Sequence, residues 1–338
     1  MELYCGIDLH SNNVYCGIVQ KNGKRMYDKR LPNDLPLILQ SLEPFRKNMR
    51  SIAVESTYNW YWLVDGLMDK GYDVKLANPS AMHQYEGLKN VNDRTDAFLL
   101  AEQLRLGILP TGHIYPKEER PVRDMLRRRM MFVQHRTAHI LSLSNLVVRQ
   151  SGTSVRKNTM LRLEPEELGK LVGGGENLFM GRQSMDMVRF LTGKIKMIEE
   201  RVSERIRLRP EYERLTSIPG VGKILALVIM LETGDIRRFA KCGNYTSYCR
   251  CANADCYSNE KKKSENNQRN GNKYLSWAFV EAAHHCIASC EKAKRFYERK
   301  KSKSNGAVAT KALASKLTKA AFHIMRDGVS FDERKIFG

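Results

Sequence analysis

Residues 3–19 read LYCGIDLHSNNVYCGIV, and this stretch decides the fold of the first part of the chain. Apolar and β-branched residues alternate along it on both sides of the polar turn Ser11–Asn12–Asn13. Alternation around a short turn predicts the two strands of a hairpin. Residues 21–24, Lys-Asn-Gly-Lys, look like the turn of a further hairpin. The chain is therefore expected to begin with antiparallel strands.

Helices and strands alternate after this hairpin. The short apolar run Ser51–Glu55 predicts a buried strand, the third of the sheet by this count, and Asp73–Ala77 predicts another. Helical spacing marks three further segments, which are residues 35–45, 60–70 and 93–106. This order predicts a mixed α/β sheet domain over residues 1–116.

A long helical region follows the sheet domain. From Glu118 to Gln150, arginines fall on one side and Met, Leu and Val on the other, and helical periodicity returns over residues 185–207. The glycine-rich residues 151–180 between them are predicted to be a loop or partly disordered. We expect residues 117–212 to form an antiparallel coiled-coil arm, with a solvated helical linker as the alternative.

The last part of the chain, residues 213–338, is predicted to be mainly helical. Residues 217–222, SIPGVG, precede an apolar helix and give a helix-hairpin-helix pattern. Free backbone N–H groups at such a helix start suit a phosphate, so Gly220 and Gly222 are candidate nucleic-acid contacts. A purely structural turn between two helices explains the same motif equally well.

The chain is strongly basic. It has 57 Lys and Arg against 37 Asp and Glu in 338 residues, which gives a net charge of +20. A charge of this sign points to a polyanion, usually nucleic acid. Two basic runs contain the candidate phosphate contacts, which are Arg127, Arg128, Arg299, Lys300 and Lys301. Because neither a signal peptide nor a bilayer-spanning segment is recognised, we expect no membrane partner and a cytoplasmic, nucleoid-associated protein.

The cysteines cluster without the spacing of a zinc site. Cys249, Cys251 and Cys256 follow a Cys-x-Cys-x4-Cys pattern, whereas structural zinc sites use paired Cys-x-x-Cys units. We therefore expect free, semi-buried thiols that pack as small apolar side chains.

Four carboxylates occupy places where a sheet and a helix can bring them together. Asp8 lies in the first strand and Glu55 ends the third, while Asp93 and Asp96 share one face at a helix start. Clustered carboxylates repel one another unless cations neutralise them, and their oxygens select Mg²⁺ or Mn²⁺. No water-activating histidine is recognised beside these acids. The alternative is that they are strand-edge and helix-start acids without a metal.

Three short motifs carry a resemblance to a known family. They are GIDLH at 6–10, AVEST at 53–57 and NDRTDA at 92–97. Together they resemble the DEDD domain of a large insertion-sequence transposase family, which includes the Piv-type DNA invertases and the bridge-RNA-guided recombinases. The similarity continues in order through residues 122–148, 218–239 and 257–275 to the C-terminus. It implies a RuvC/RNase H-like fold for the N-terminal α/β domain.

The resemblance also implies a serine nucleophile in the C-terminal domain. The matching position is Ser258, although residues 250–253 and Asn259 depart from the commoner family pattern, and Ser264 and Ser247 are the fallbacks. A serine is a poor nucleophile until its deprotonation is assisted, and no histidine lies near Ser258 in sequence. The lysines that would steady the phosphate beside it are Lys261, Lys262 and Lys263.

The family further implies the partners of the reaction. A structured non-coding guide RNA would pair with donor and target DNA, and dimers would assemble into a tetramer in which one protomer's acids meet another's serine domain. The predicted activity is site-specific DNA recombination through a covalent phosphoserine intermediate. Two alternatives remain open: a RuvC-like two-metal nuclease or resolvase that uses water, and a catalytically inert nucleic-acid-binding protein.

Overall fold

A computed structural model describes residues 1–82, 92–160, 162–205, 209–252, 255–258, 261–265 and 270–337. The chain divides into two compact units, Met1–Lys117 and Glu118–Gly338. The first is a mixed α/β unit and the second is mostly helical, which confirms the coarse fold class and is compatible with a RuvC-like N-terminal fold. The predicted boundary near residue 212 stays a prediction.

The first unit is built on a six-stranded sheet in the order β3-β2-β1-β4-β5-β6. Strands β1, β4 and β5 are parallel to one another, while β2, β3 and β6 run antiparallel to their neighbours. The strand bounds are β1 Leu3–Leu9, β2 Asn13–Gln20, β3 Arg25–Pro32, β4 Met49–Glu55, β5 Val74–Ala77 and β6 Thr111–Gly112.

Glu55 ends the fourth strand, so the prediction that it ends the third is wrong. The strand missing from that count is β3, whose sequence RMYDKRLP is mostly exposed. An edge strand with one solvated face needs few apolar residues, so β3 lacks the buried run by which Ser51–Glu55 was recognised.

Helices cover both faces of this sheet. They are α1 Leu35–Leu42, α2 Tyr61–Asp69 and α3 Asp93–Leu106. The odd-numbered residues of β1, such as Ile7, share a buried apolar cluster with α1 and α2. The even-numbered residues face α3, which comes so close that a Cβ at Gly6 would lie 2.0 Å from the carbonyl oxygen of Ala97. Asp8 is therefore on the α3 face of the sheet.

Two long helices open the second unit and pack against each other, α4 (Arg120–Ser151) and α7 (Gly175–Arg205). The segment predicted as a loop over residues 151–180 instead holds the helices α5 (Lys157–Met160) and α6 (Pro165–Val172) and the start of α7. A capping box formed by Glu164 and Glu167 starts α6, and its buried Leu168 joins the apolar cluster between α4 and α7. The many glycines wrongly suggested a long loop, because three consecutive glycines mark only the junction between α6 and α7.

Among its described residues, the rest of the second unit consists of helices and one two-stranded hairpin, joined by turns and loops. Its helices are α8 Pro210–Thr216, α9 Lys223–Thr233, α10 Cys242–Tyr248, α11 Lys273–Ser289, α12 Glu291–Lys301, α13 Gly306–Asp327 and α14 Glu333–Phe337. The hairpin strands are β7 Asp255–Ser258 and β8 Lys261–Glu265. Cys249 and Cys251 are buried in the apolar core here, as predicted for small packing residues, and Cys286 is buried with them. No described helix is both long enough and apolar enough to cross a membrane.

Candidate functional site

A row of polar side chains crosses the first sheet where β1 and β4 end. In the strand register Asp8 pairs with Tyr15, and Tyr15 pairs with Arg30. On the other side of β1, Ile7 pairs with Val54, so Glu55 lies beside Asp8. Residues paired across neighbouring strands project from the same face. The fold therefore places an arginine, a tyrosine and two carboxylates side by side.

The start of α3 adds two more carboxylates to this row. Asn92 caps the helix by accepting a hydrogen bond from the backbone N–H of Thr95 (3.0 Å), and the Thr95 hydroxyl accepts one from the backbone N–H of Asn92 (2.9 Å). This capping box fixes the first turn, in which Asp93 and Asp96 both lie. The structure thus brings all four predicted acids to one region of the first unit.

His10 is a member of the site that the sequence analysis missed. Its Nε2 atom lies 3.1 Å from Asp8 Oδ2 and 3.2 Å from Asp93 Oδ1. The prediction that no water-activating histidine accompanies the acids is therefore wrong in its premise, because a histidine lies beside them. His10 follows Asp8 by two residues at the end of a strand, so the two side chains project from the same face. This spacing could have predicted that His10 belongs to the site.

The electrostatics of the site show how closely the acids are held. Burial raises the pKa of Glu55 to about 8, together with its hydrogen bond to Asp8 and the charges of Asp8 and Asp96. Burial also raises the pKa of Asp96, and the charges of Asp8 and Asp93 add to that shift while His10 opposes it. Carboxyl groups that hold protons this strongly indicate a site in need of positive charge.

Arginines supply part of that charge. Arg30 forms an ion pair with Asp93, and Arg94 forms one with Asp28, which also accepts a hydrogen bond from the Tyr15 hydroxyl. The side chain of Arg30 is 59% exposed, so this pair can open at little cost. The acids are therefore bordered on the β3 side by exposed cationic side chains.

The donor set fits a divalent cation. Asp8, His10 and Asp93 each offer one ligand atom, and the three atoms lie within 4.8 Å of one another. Asp8 Oδ2 and His10 Nε2 are buried, and neither has a hydrogen-bond partner among the described residues. Buried polar atoms that lie this close together without a hydrogen bond between them are what a bound ion would satisfy. Oxygen ligands suit Mg²⁺ or Mn²⁺, and the imidazole nitrogen shifts the preference towards Mn²⁺.

The predicted nucleophile lies in the second unit, on the β7–β8 hairpin. Ser258 is the last residue of β7 and pairs in register with Lys261, while Tyr257 pairs with Lys262. Asn259, part of the same predicted motif, lies outside the described residues. Of the fallback positions, Ser264 is on β8 and Ser247 is in α10.

The predicted nucleic-acid contacts differ in how their side chains are placed. Arg127 is tied to Glu232 by hydrogen bonds of 2.6 and 2.9 Å, whereas Arg128 is exposed. The exposed set at the end of α12 is Arg299, Lys300 and Lys301.

The two predicted phosphate-binding glycines also differ. Gly220 has a φ of +87°, and a Cβ there would lie 2.4 Å from the carbonyl oxygen of Ala282, so packing against α11 requires a glycine. A Cβ at Gly222 would meet open space. Packing thus accounts for Gly220, and phosphate contact by either glycine stays a prediction.

Comparisons with known proteins agree with this arrangement. Residues 5–150 match a DEDD model for IS110 elements described as a transposase, and residues 212–298 match a model described as the transposase IS116/IS110/IS902 family. The chain is also 27% identical, over 142 residues, to the insertion element IS110 uncharacterized 43.6 kDa protein of Streptomyces coelicolor. That match covers 41% of this chain and 35% of the relative, so the chain spans about a third of that relative's length.

Proposed function

We propose that this chain, two regions of which match models of IS110-type transposases, cleaves and rejoins DNA as the recombinase of an insertion sequence. The observation that carries the proposal is the gathering of Asp8, Glu55, Asp93 and Asp96 where β1, β4 and α3 meet. All four acids fall inside the region that the DEDD transposase model matches.

The acids and His10 form the proposed metal centre. Asp8, Asp93 and His10 offer one group of ligand atoms, and Glu55 and Asp96 add carboxylates beside them. A pair of Mg²⁺ or Mn²⁺ ions, when bound, supplies charge that stabilises the attacking and leaving oxygens of a scissile phosphate. If Asp93 held such a cation, Arg30 would lose its ion pair with that carboxylate, and its guanidinium would be available to contact a DNA phosphate.

Ser258 is the proposed nucleophile. Its Oγ forms a bond to phosphorus and gives up its proton, while the bond to a deoxyribose oxygen breaks and that oxygen takes a proton. The phosphoserine link keeps the energy of the broken ester, so the reverse reaction rejoins DNA without ATP. Support comes from the position of Ser258 inside the second matched region and from the lysine-rich strand beside it. Lys261, Lys262 and Lys263 would neutralise the phosphate.

Strand cleavage by water is the second candidate, and His10 is the observation that favours it. An imidazole among the acids can act as a general base or as a metal ligand. As a general base, His10 would accept the proton of an attacking water. This candidate would leave Ser258 without a chemical role.

A denaturing gel with labelled DNA and Mn²⁺ separates the two candidates. We expect wild-type protein to give a covalent protein–DNA adduct that maps to Ser258, and Ser258→Ala to give none, while Ser264→Ala and Ser247→Ala behave as wild type. Asp8→Ala should abolish cleavage and still bind DNA. Cleavage by Ser258→Ala with a free 5′-phosphate would support hydrolysis instead, and cleavage by Asp8→Ala at the wild-type rate would overturn the acidic site.

Partners of the reaction are part of the same proposal. Double-stranded donor and target DNA would be chosen by a structured guide RNA, with dimers of the chain assembling into a tetramer. Protein alone should then bind DNA weakly, with strong salt dependence and little sequence preference. Adding the non-coding RNA of the element should give site-specific recombination, and site-specific activity of rigorously RNA-free protein would refute guidance by RNA.

A further inference from the structure

Glu232, a buried carboxylate on α9, ties together three parts of the second unit. It is 2% exposed and accepts hydrogen bonds from Arg123 (3.0 Å) and Arg127 (2.6 and 2.9 Å), both on α4. It also accepts a 2.7 Å hydrogen bond from the side-chain amide of Asn272. A buried carboxylate held by two guanidinium groups and an amide is a rigid attachment point, because each partner fixes its orientation.

Asn272 connects this point to the segment that carries the β7–β8 hairpin. Its backbone N–H donates a 2.6 Å hydrogen bond to the carbonyl of Tyr248. Its side-chain oxygen caps α11 by accepting from the N–H groups of Tyr274 (2.9 Å) and Leu275 (3.1 Å). Tyr248 precedes the hairpin and Asn272 follows it, so this one residue joins the two ends of the segment to Glu232.

A second contact joins the same two chain ends, which together form the base of the hairpin. Arg250 donates two hydrogen bonds, of 3.1 and 2.9 Å, to the carbonyl oxygen of Gly271. Arg250 has a φ of +55°, a conformation that non-glycine residues rarely adopt. Gly271 has a φ of +95°, and a Cβ there would lie 2.5 Å from the Tyr248 carbonyl oxygen. Backbone strain and close approach at one place indicate that the two chain ends are held together tightly.

The charges around Glu232 keep its carboxylate ionised and bound to its partners. Burial alone would raise the pKa of Glu232, but the hydrogen bond from Arg127, the charges of Arg123 and Arg127 and the amide of Asn272 lower it. Arg127 also lies over the ring of Tyr274, 4.2 Å from its centroid, in the first turn of α11. The carboxylate therefore remains ionised and fully engaged in the folded protein.

We propose that Glu232, Asn272 and Arg250 form a base clamp that fixes the hairpin carrying Ser258, and that they act as positioning residues for this nucleophile. The inference rests on the proposed function of Ser258. A two-stranded hairpin is marginally stable by itself, so its orientation depends on how its ends are held. Attack on phosphorus tolerates little displacement, because a 1 Å misplacement can slow a reaction by about a hundredfold.

Glu232→Gln tests the clamp, because it keeps the shape of the side chain and removes its charge. Glu199→Gln is the matched control, since Glu199 on α7 pairs with Arg129 of the same helix α4 at 2.6 Å and is not among the described hydrogen-bond partners of Tyr248, Arg250, Gly271 or Asn272. Arg250→Gly is the second variant. It removes both hydrogen bonds to Gly271 and suits the positive φ, so it is expected to fold even if Glu232→Gln does not.

Hydrogen exchange of the full-length chain, followed by mass spectrometry, measures how often the backbone amides of the hairpin become accessible to solvent. We expect amides of residues 255–258 and 261–265 to exchange about tenfold faster in Glu232→Gln and Arg250→Gly than in wild type or Glu199→Gln. The rate of Ser258 adduct formation should fall by about tenfold or more in the same two variants, with DNA affinity unchanged.

Two results would overturn the clamp. One is unchanged hairpin exchange in both variants, and the other is an equal slowing of adduct formation in Glu199→Gln. If wild-type protein forms no adduct at all, the assignment of Ser258 fails, whereas the exchange measurement still decides whether these residues hold the hairpin.

Discussion

Replacing Gly6 by alanine should damage the acidic site without touching any of its side chains. A Cβ at this position would lie 2.0 Å from the carbonyl oxygen of Ala97 and 2.6 Å from the backbone nitrogen of Ala101, both in α3. Backbone atoms cannot rotate away, so strand and helix must separate by about 1 Å. Because Asp8 is carried by the strand and Asp93 by the helix, the substitution should pull the ligand atoms apart.

The size of the effect follows from this clash. Overpacking of a rigid contact costs about 3 kcal/mol, the upper end of the usual range. For a unit of this size that corresponds to a fall in Tm of roughly 10 °C. Metal and catalytic constellations tolerate displacements of about 0.5 Å, so Mn²⁺ binding should weaken by tenfold or more.

Gly17→Ala is the control for this experiment. Gly17 faces the same helix, but the atoms nearest to a Cβ there would be those of the Phe98 ring, at 3.1 Å, and a side chain can shift. We expect a loss of about 1 kcal/mol and little change in Mn²⁺ affinity. Thermal unfolding and titration calorimetry measure both quantities. If Gly6→Ala unfolds and binds Mn²⁺ as wild type does, the close approach of α3 to β1 does not position the acids.

Three further predictions concern the same two units. Without divalent ions, Tm should fall as the pH rises from about 5 to 8, because the pKa of Glu55 is about 8 in the folded state against an ordinary 4.5. Glu55→Gln should flatten this dependence of Tm on pH, and an unchanged dependence would contradict the raised pKa of Glu55. Arg30→Gln should tighten Mn²⁺ binding about twofold to fivefold in calorimetry, since Asp93 loses a competing cation; weaker binding would show that Arg30 supports the site. Gly220→Ala should lower Tm strongly while Gly222→Ala leaves it unchanged, and equal effects would argue against packing on α11 as the reason for Gly220.

Much of the first unit could be predicted because its signals are local. The alternation in residues 3–19 gave both strands, and the apolar face of residues 93–106 gave α3. The face on which Asp8 lies follows from the same alternation, since its even-numbered neighbours look towards α3. The strand β3 was missed in the count because an exposed edge strand has no apolar pattern to recognise.

The parts of the site that escaped prediction depend on contacts between distant residues. Arg30 reaches Asp93 only because β3 lies beside β2 in register, a pairing that the sequence of β3 does not reveal. His10 could have been found from its spacing to Asp8, but its distance to Asp93 depends on how α3 is placed. No local sequence pattern predicts the role of Glu232, because its partners lie more than a hundred positions earlier and 40 positions later in the chain.

The proposed reaction needs chemistry from both units, and the charges explain why. The first unit gathers carboxylates that repel a DNA phosphate until cations neutralise them, and His10 and Arg30 supply only part of that charge. In the proposed reaction the second unit would supply the Ser258 hydroxyl and nearby lysines, which would attract a phosphate but would not lower the cost of deprotonating a serine as a divalent ion does. Each unit therefore holds what the other lacks. A hairpin held at its base by Glu232, as we propose, would restrict the orientations in which the Ser258 hydroxyl can attack a phosphate, which would limit cleavage to correctly assembled DNA.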